Sequence, residues 1–359
     1  MAVAAAALAF GAAGTAQAGP APSSALLGIE HNGVTSLTVP QSSTDVLKFW
    51  TPERIRQAKA HPLPVPTMTP AAEAKARLRS AALGKTTPTG TAVSADAIAP
   101  LAARKPAPQS AAATLTPSYA TMSQSALAGP VMGWETSVVG KLFINDNGNL
   151  ATCSATVIVS NSHNSIWTAG HCLNRGNGKG FYNSFAFAPD YDQGERWGYW
   201  TVQNVVVSSD WANSGDSLWG DMGGGKVVPS STYGNLQDAI GAWGYQFNGG
   251  TDFSNATSLG YPVDGYNRPA SDFASGEHRM YCQGSTVDAA NFNPFDDRLQ
   301  INCDMGHGAS GGPIAINVGG NTQIVGTKRA ECELMSVLSS PERVALPSTA
   351  GRGAGAVLR

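Results

Sequence analysis

The chain has 359 residues and a formal net charge of -2, and its 13% of charged residues is about half the share usual in globular proteins. Such a surface offers no basic field, so nucleic acid and anionic membrane are both disfavoured as partners. Beyond the N-terminus, no run reaches the roughly 18 apolar residues that a membrane span needs.

The first stretch, Ala-Val-Ala-Ala-Ala-Ala-Leu-Ala-Phe, ends in Ala16-Gln17-Ala18 before Gly19. This small-residue cleavage pattern reads as a signal peptide over 1–18, and it predicts a secreted, extracellular protein. Residues 19–130 are rich in Ala, Pro, Ser and Thr and contain no cysteine, so this part is expected to be a weakly folded propeptide. One helix stands out in it, from Thr51 to Ala60. Thr51 is a good N-cap, Pro52 suits the first helical position, Glu53 favours the positive end of the helix dipole, and Pro62 and Pro64 close the element.

From Val131 onward, short β-rich runs alternate with Gly, Asn, Asp and Pro. The clearest strands are Val138–Ile144, Ser154–Val159, Ser165–Ala169, Thr201–Val207 and Ile324–Gly326, a spacing that indicates a sandwich or barrel. All five cysteines, at 153, 172, 282, 303 and 332, lie in this part, as expected for disulfides formed outside the cytoplasm. Metal binding is not expected, because neither Cys-x-x-Cys nor His-Glu-x-x-His spacing occurs.

Two segments carry chemistry. Trp167-Thr168-Ala169-Gly170-His171-Cys172 turns at a glycine and presents a histidine, and Gly306-His307-Gly308-Ala309-Ser310-Gly311-Gly312-Pro313 places a serine in a glycine-rich loop. A serine hydroxyl becomes a useful nucleophile when an imidazole takes its proton, and the imidazole needs a carboxylate to fix its tautomer. The glycines let the chain bend so that the amides of Gly308 and Ser310 converge on a developing oxyanion.

Thr-Ala-Gly-His-Cys followed by Gly-x-Ser-Gly-Gly-Pro resembles the two signature blocks of chymotrypsin-like serine peptidases. Phe185-Ala186-Phe187-Ala188-Pro189 and Cys303-Asp304-Met305 are similar to bacterial secreted members, particularly the glutamyl-endopeptidase-like group. The likeness covers about residues 131–326. It implies an all-β fold of two six-stranded antiparallel β-barrels with the active site between them, in a peptidase domain over 131–359.

The function it implies is that of a secreted serine endopeptidase, monomeric and made as a precursor. Such an enzyme acts on protein or peptide substrates, meets its own propeptide, and uses no cofactor. His171 and Ser310 are then two members of the triad. For the third, Asp210, Asp216 and Asp221 all lie in the right stretch. Asp221 opens Asp-Met-Gly-Gly-Gly-Lys-Val-Val and fits best, whereas Asp216 reads as a turn residue.

The resemblance also points to a bridge from Cys153 to Cys172, which would pin the turn bearing His171. Cys282 with Cys303 would brace the serine loop, with Cys303 to Cys332 as the rival. His307 is read as structural. Ala309 stands where animal members carry an aspartate that pairs with a newly freed N-terminus, so activation here is expected to proceed without that ion pair.

Specificity is open between two readings. Asp304, six residues before Ser310, sits at the offset of the trypsin-type selector, but its neighbouring cysteine is placed differently. Thr327, Lys328 and Arg329 would form the opposite wall, where two cations favour cleavage after Glu or Asp.

Two other classes share features with the sequence. Gly-x-Ser-x-Gly also suits an α/β-hydrolase esterase, but that fold needs a histidine after the serine, and the six histidines at 31, 61, 163, 171, 278 and 307 all precede it. A chymotrypsin-fold binding protein without activity is the other alternative, favoured by the atypical sequence after Cys332.

Overall fold

The computed structural model describes residues 26–59, 63, 68–83, 93–101, 126–127, 135–218, 220–247, 249–291, 298–318, 321–329 and 356–357. The expected signal peptide and Cys332 lie outside them.

The N-terminal segment contributes β1 (Ile29–His31), β2 (Val34–Thr38), α1 (Ser43–Phe49), α2 (Pro52–Lys59), α3 (Pro70–Leu83), β3 (Val93–Ala95) and β4 (Ala126–Leu127). The helix anticipated from Thr51 is α2. Thr51 Oγ1 accepts the Arg54 amide at 3.3 Å, which caps the first turn.

The first half of the remaining chain supplies β5 (Val139–Asp146), β6 (Asn149–Ile158), β7 (Ser165–Thr168), β8 (Asn183–Pro189), β9 (Trp200–Ser208), the short helix α4 (Ser209–Ser214) and β10 (Gly223–Val227). Strands β9-β10-β7-β6-β5-β8 pair in that order, and β8 returns to β9, so the sheet closes into a six-stranded antiparallel barrel. Asn147-Gly148 joins β5 to β6 with both residues at positive φ, 52° and 99°. This is the two-residue turn that matches strand twist, and it fixes the hairpin register.

The second half contains α5 (Leu236–Ile240), β11 (Gly244–Phe247), β12 (Ala256–Gly260), β13 (Met280–Gly284), β14 (Thr286–Asp288), β15 (Leu299–Ile301), β16 (Pro313–Val318) and β17 (Asn321–Thr327). Its sheet runs β3-β11-β17-β16-β12-β13-β4 among the described residues, with β14 and β15 paired separately. One pair, β11 with β17, is parallel, where antiparallel pairing throughout was expected.

The fold is all-β and chymotrypsin-like, and a core lies under each half. The first gathers Leu142, Phe143, Val157, Phe185, Phe187 and Val205 around the barrel; the second gathers Phe273, Met280, Leu299, Met305 and Ile314. Charged contacts fasten the halves together. Lys141 on β5 is wholly buried, and its ammonium donates to the Gly276 carbonyl at 2.8 Å. Arg279 reaches Asp190 at 2.9 Å, and His278 reaches Asp192 at 2.7 Å.

The described parts of the N-terminal segment pack on the barrel, while most of 84–130 lies outside the described residues. β2 pairs with β9 along Val34–Thr38, so the barrel sheet continues outward, and Val46, Trp50, Ile55 and Ala58 are buried against it. These apolar residues are too scattered to signal a core by themselves. They find their burial on the barrel's surface.

Candidate functional site

The site begins at β7. Thr168 Oγ1 donates to the Ser154 carbonyl at 2.8 Å, after which the chain leaves the strand through extended Ala169 into a single 3-10 turn, Gly170–Cys172. Gly170 permits this path, because a Cβ there would lie 3.1 Å from the Trp211 ring and from the Met222 amide. The turn carries His171 into the interior.

His171 is wholly buried. Its backbone amide donates to Asp221 Oδ1 at 2.8 Å, and its Nδ1 lies 2.9 Å from Asp221 Oδ2 and 3.1 Å from Oδ1. A carboxylate on Nδ1 places the ring proton there and leaves Nε2 as the acceptor. Nε2 is buried with no hydrogen-bond partner among the described residues.

Burial by itself would raise the Asp221 carboxyl. The charge and hydrogen bonds of His171, with the Arg329 guanidinium 3.8 Å away, hold it below its ordinary value of 3.8 instead. The sign of the linkage follows. Asp221 contributes stability that is fully present above that ordinary value and is lost as pH falls through the lower value of the folded protein. Removing the cation in Arg329→Met is expected to move this acid-side loss to higher pH. Melting temperature measured from pH 2 to pH 6 on both proteins checks it, and parallel curves would count against the assignment.

Ser310 sits in a tightly bonded loop. Ala309 donates to the Gly306 carbonyl, Gly312 to that of Ala309 and Gly311 to that of Lys328, while the Lys328 amide returns to Gly312. Gly308 and Gly311 have φ of 84° and 81°, a region that favours glycine. A Cβ on Gly308 would also stand 2.5 Å from the Tyr261 carbonyl, and one on Gly311 would stand 2.0 Å from Thr168 Oγ1 and 3.1 Å from the Ala169 amide. The serine loop therefore lies directly on the strand end that leads to His171.

Ser154, which the motifs do not mark, joins the two walls. Its amide donates to the Ser310 carbonyl at 2.7 Å, its hydroxyl to the Gly308 carbonyl at 2.9 Å, and its own carbonyl accepts Thr168 Oγ1. The neighbouring Cys153 is bridged to Cys172, next to His171. One short piece of β6 thus holds both sides of the site. Replacing Cys153 and Cys172 together by alanine is expected to lower stability by about 3 kcal/mol, through chain-entropy loss over a 19-residue separation. Urea unfolding under non-reducing conditions measures it.

The second bridge joins Cys282 to Cys303. It takes the place of the rival pairing of Cys303 with Cys332.

The other acidic candidates lie elsewhere. Asp216 accepts the Leu218 amide on its side chain and the Gly220 amide on its carbonyl, which is turn geometry. Asp210 lies in the first turn of α4, 3.8 Å from Lys75. His307 is paired with Asp264 at 2.8 Å.

Each residue proposed to set specificity has a protein partner. Asp304 is buried and meets Arg268 Nη1 at 3.0 Å, and that guanidinium also stacks on Phe273. Lys328 Nζ lies 3.1 Å from Cys303 Sγ, Arg329 stands beside Asp221, and Thr327 Oγ1 accepts from Trp167 Nε1. Trp211 is a further residue that the motifs do not reveal. It packs edge-on to His171 with ring centroids 6.2 Å apart, and its Nε1 donates to the Asn174 carbonyl.

A closed antiparallel barrel, a buried His–Asp pair and a serine in a glycine loop from the second half define the chymotrypsin-like serine-peptidase architecture. Solved structures agree. A thermostable serine protease, AL20, from an extremophilic microorganism is 26% identical over 63% of this chain and 93% of its own, with a TM-score of 0.50. The protease Anisep from Arthrobacter nicotinovorans is 25% identical over 62% of this chain and 90% of its own, also at 0.50. No family model and no curated protein matches the sequence. These neighbours support a chymotrypsin-fold protease.

Proposed function

We propose that the chain is a secreted serine endopeptidase that cleaves protein or peptide substrates through an acyl-enzyme, with His171, Asp221 and Ser310 as its triad. The observation that carries this reading is the buried His171, fixed through Nδ1 by Asp221 and left with Nε2 as an acceptor, beside a serine loop bonded to β6, the strand whose Cys153 is bridged to Cys172.

In this reading Ser310 Oγ attacks the scissile carbonyl carbon while His171 Nε2 takes the hydroxyl proton, and Asp221 stabilises the imidazolium that forms. The carbonyl oxygen becomes an oxyanion facing the amides of Gly308 and Ser310. As the carbon–nitrogen bond breaks, the imidazolium gives its proton to the departing amine. A water molecule, deprotonated in turn by His171, then releases the new carboxylate and restores Ser310. No cofactor is needed, since nucleophile, base and oxyanion donors are all protein groups.

The protein is made as a precursor in this proposal, with a signal peptide over 1–18 and a cut ahead of a peptidase domain spanning 131–359. It is secreted and acts as a monomer. Partnered Asp304 argues against selection of Arg and Lys side chains.

The test is to treat the purified protein with a fluorophosphonate probe and, separately, with a mixed peptide library. Labelling at Ser310 together with defined cleavage sites is the expected outcome. An unlabelled protein that leaves the library intact would refute the enzyme and favour a binding role.

A further inference from the structure

The described residues of the N-terminal segment are built into the molecule at several places. At its start, the Phe181 amide donates to the Leu26 carbonyl at 2.7 Å. Next, β2 forms a five-residue antiparallel ladder with β9, from Val34 opposite Ser208 to Thr38 opposite Asn204. Third, α1 and α2 bury Val46, Trp50, Ile55 and Ala58 against the barrel's surface, where Trp50 meets the Phe143 ring and donates through Nε1 to the Ser184 carbonyl.

The fourth attachment is to the other half. β3 pairs with β11 over three residues, and Ile98 and Ala242 exchange both backbone hydrogen bonds. Gly244 allows this close approach, since a Cβ there would lie 1.9 Å from the Ala95 carbonyl. The segment is therefore strapped across both halves of the protein.

It also supports the site. The Ser209 amide donates to the Gly33 carbonyl at 2.9 Å, and the Ser209 and Thr35 hydroxyls are hydrogen-bonded at 2.9 Å. Ser209 opens α4, the helix that holds Trp211 against His171 and Gly170.

We propose that residues 26–101 are a permanent part of the working protein, staying bound when the chain is cut between Leu101 and Glu135 and steadying His171 through α4. Such a cut adds one water to one peptide bond and frees a carboxylate and an amine. It breaks none of the ladders described above, and release of the segment would expose Trp50, Ile55 and their partners to water. The part of this proposal that concerns His171 rests on the peptidase reading; retention does not.

The experiment introduces the recognition sequence of a site-specific protease into 102–125 of the full chain, cuts the purified protein under native conditions, and follows both pieces by size exclusion and mass spectrometry. The expected result is one peak with the pieces in equal amounts and with fluorophosphonate labelling at the rate of the uncut protein. Separate elution of the N-terminal piece would overturn retention.

In the same cut chain, Trp50→Ala is expected to release the piece at least ten times faster, with labelling of the remainder falling as it leaves. Labelling that continues unchanged after release would overturn the link to His171. Because retention is read by mass, its outcome is separate from any failure of Ser310 to label.

Discussion

Ser310→Ala is expected to abolish fluorophosphonate labelling and to lower peptide hydrolysis by about five to six orders of magnitude, the loss seen when a triad nucleophile is removed. The fold should survive, because Ser310 is held through its backbone: its carbonyl accepts from Ser154, and its neighbours Gly311 and Gly312 bond to Lys328 and Ala309. Unchanged melting temperature with activity reduced to background is the combined readout. Hydrolysis that persists at more than a thousandth of the original rate would require another nucleophile and would end the proposal.

Asp221→Asn should cost about four orders of magnitude in turnover. The amide can still accept the His171 backbone N–H, so the turn is kept. Its NH2 group cannot act as the negative partner of Nδ1, however, and the ring is driven toward the tautomer whose Nε2 carries the proton. A base in that form has nowhere to receive the Ser310 proton. Asp216→Asn provides the control, since Asp216 accepts the Leu218 amide within its own turn, and its activity should remain within a few-fold of the parent. Steady-state rates on one peptide substrate decide between them, and the reverse ranking would move the third role to Asp216.

Features encoded by short-range rules were legible in the sequence. The turn at Gly170, the need for positive φ around Ser310, the α2 cap at Thr51 and the β-rich texture after Val131 are all local, and each appears where the residues place it. Asp221 could be singled out among three acids because of the small residues that follow it, which form β10. The contributions of Ser154, Trp211 and Arg268 were not legible. Each acts on a partner far away in the chain: Ser154 on Ser310, Trp211 on His171, Arg268 on Asp304. Nothing in their own neighbours specifies that partner.

The same limit explains the N-terminal segment. Its Ala- and Pro-rich composition describes its independent folding tendency, whereas its structure depends on the surface offered by β9 and β6. The cations at 328 and 329 illustrate the point at the site itself, because charge alone suggested attraction for an acidic substrate, while packing gives them Cys303 and Asp221 as neighbours.

A closed barrel has no free edge, yet the hairpin of β1 and β2 opens one. With β2 laid along β9, the outermost strand of the sheet is β1, and among the described residues no strand pairs with its other side. Edges of this kind recruit strands from other molecules, and the side chain of Ile29, 76% exposed, would favour it. The chain counters this with brevity and charge: β1 has only three residues, and Glu30 and His31 follow the isoleucine. Protection of this edge therefore rests on a seam three residues long, contributed by the segment that reads as least structured.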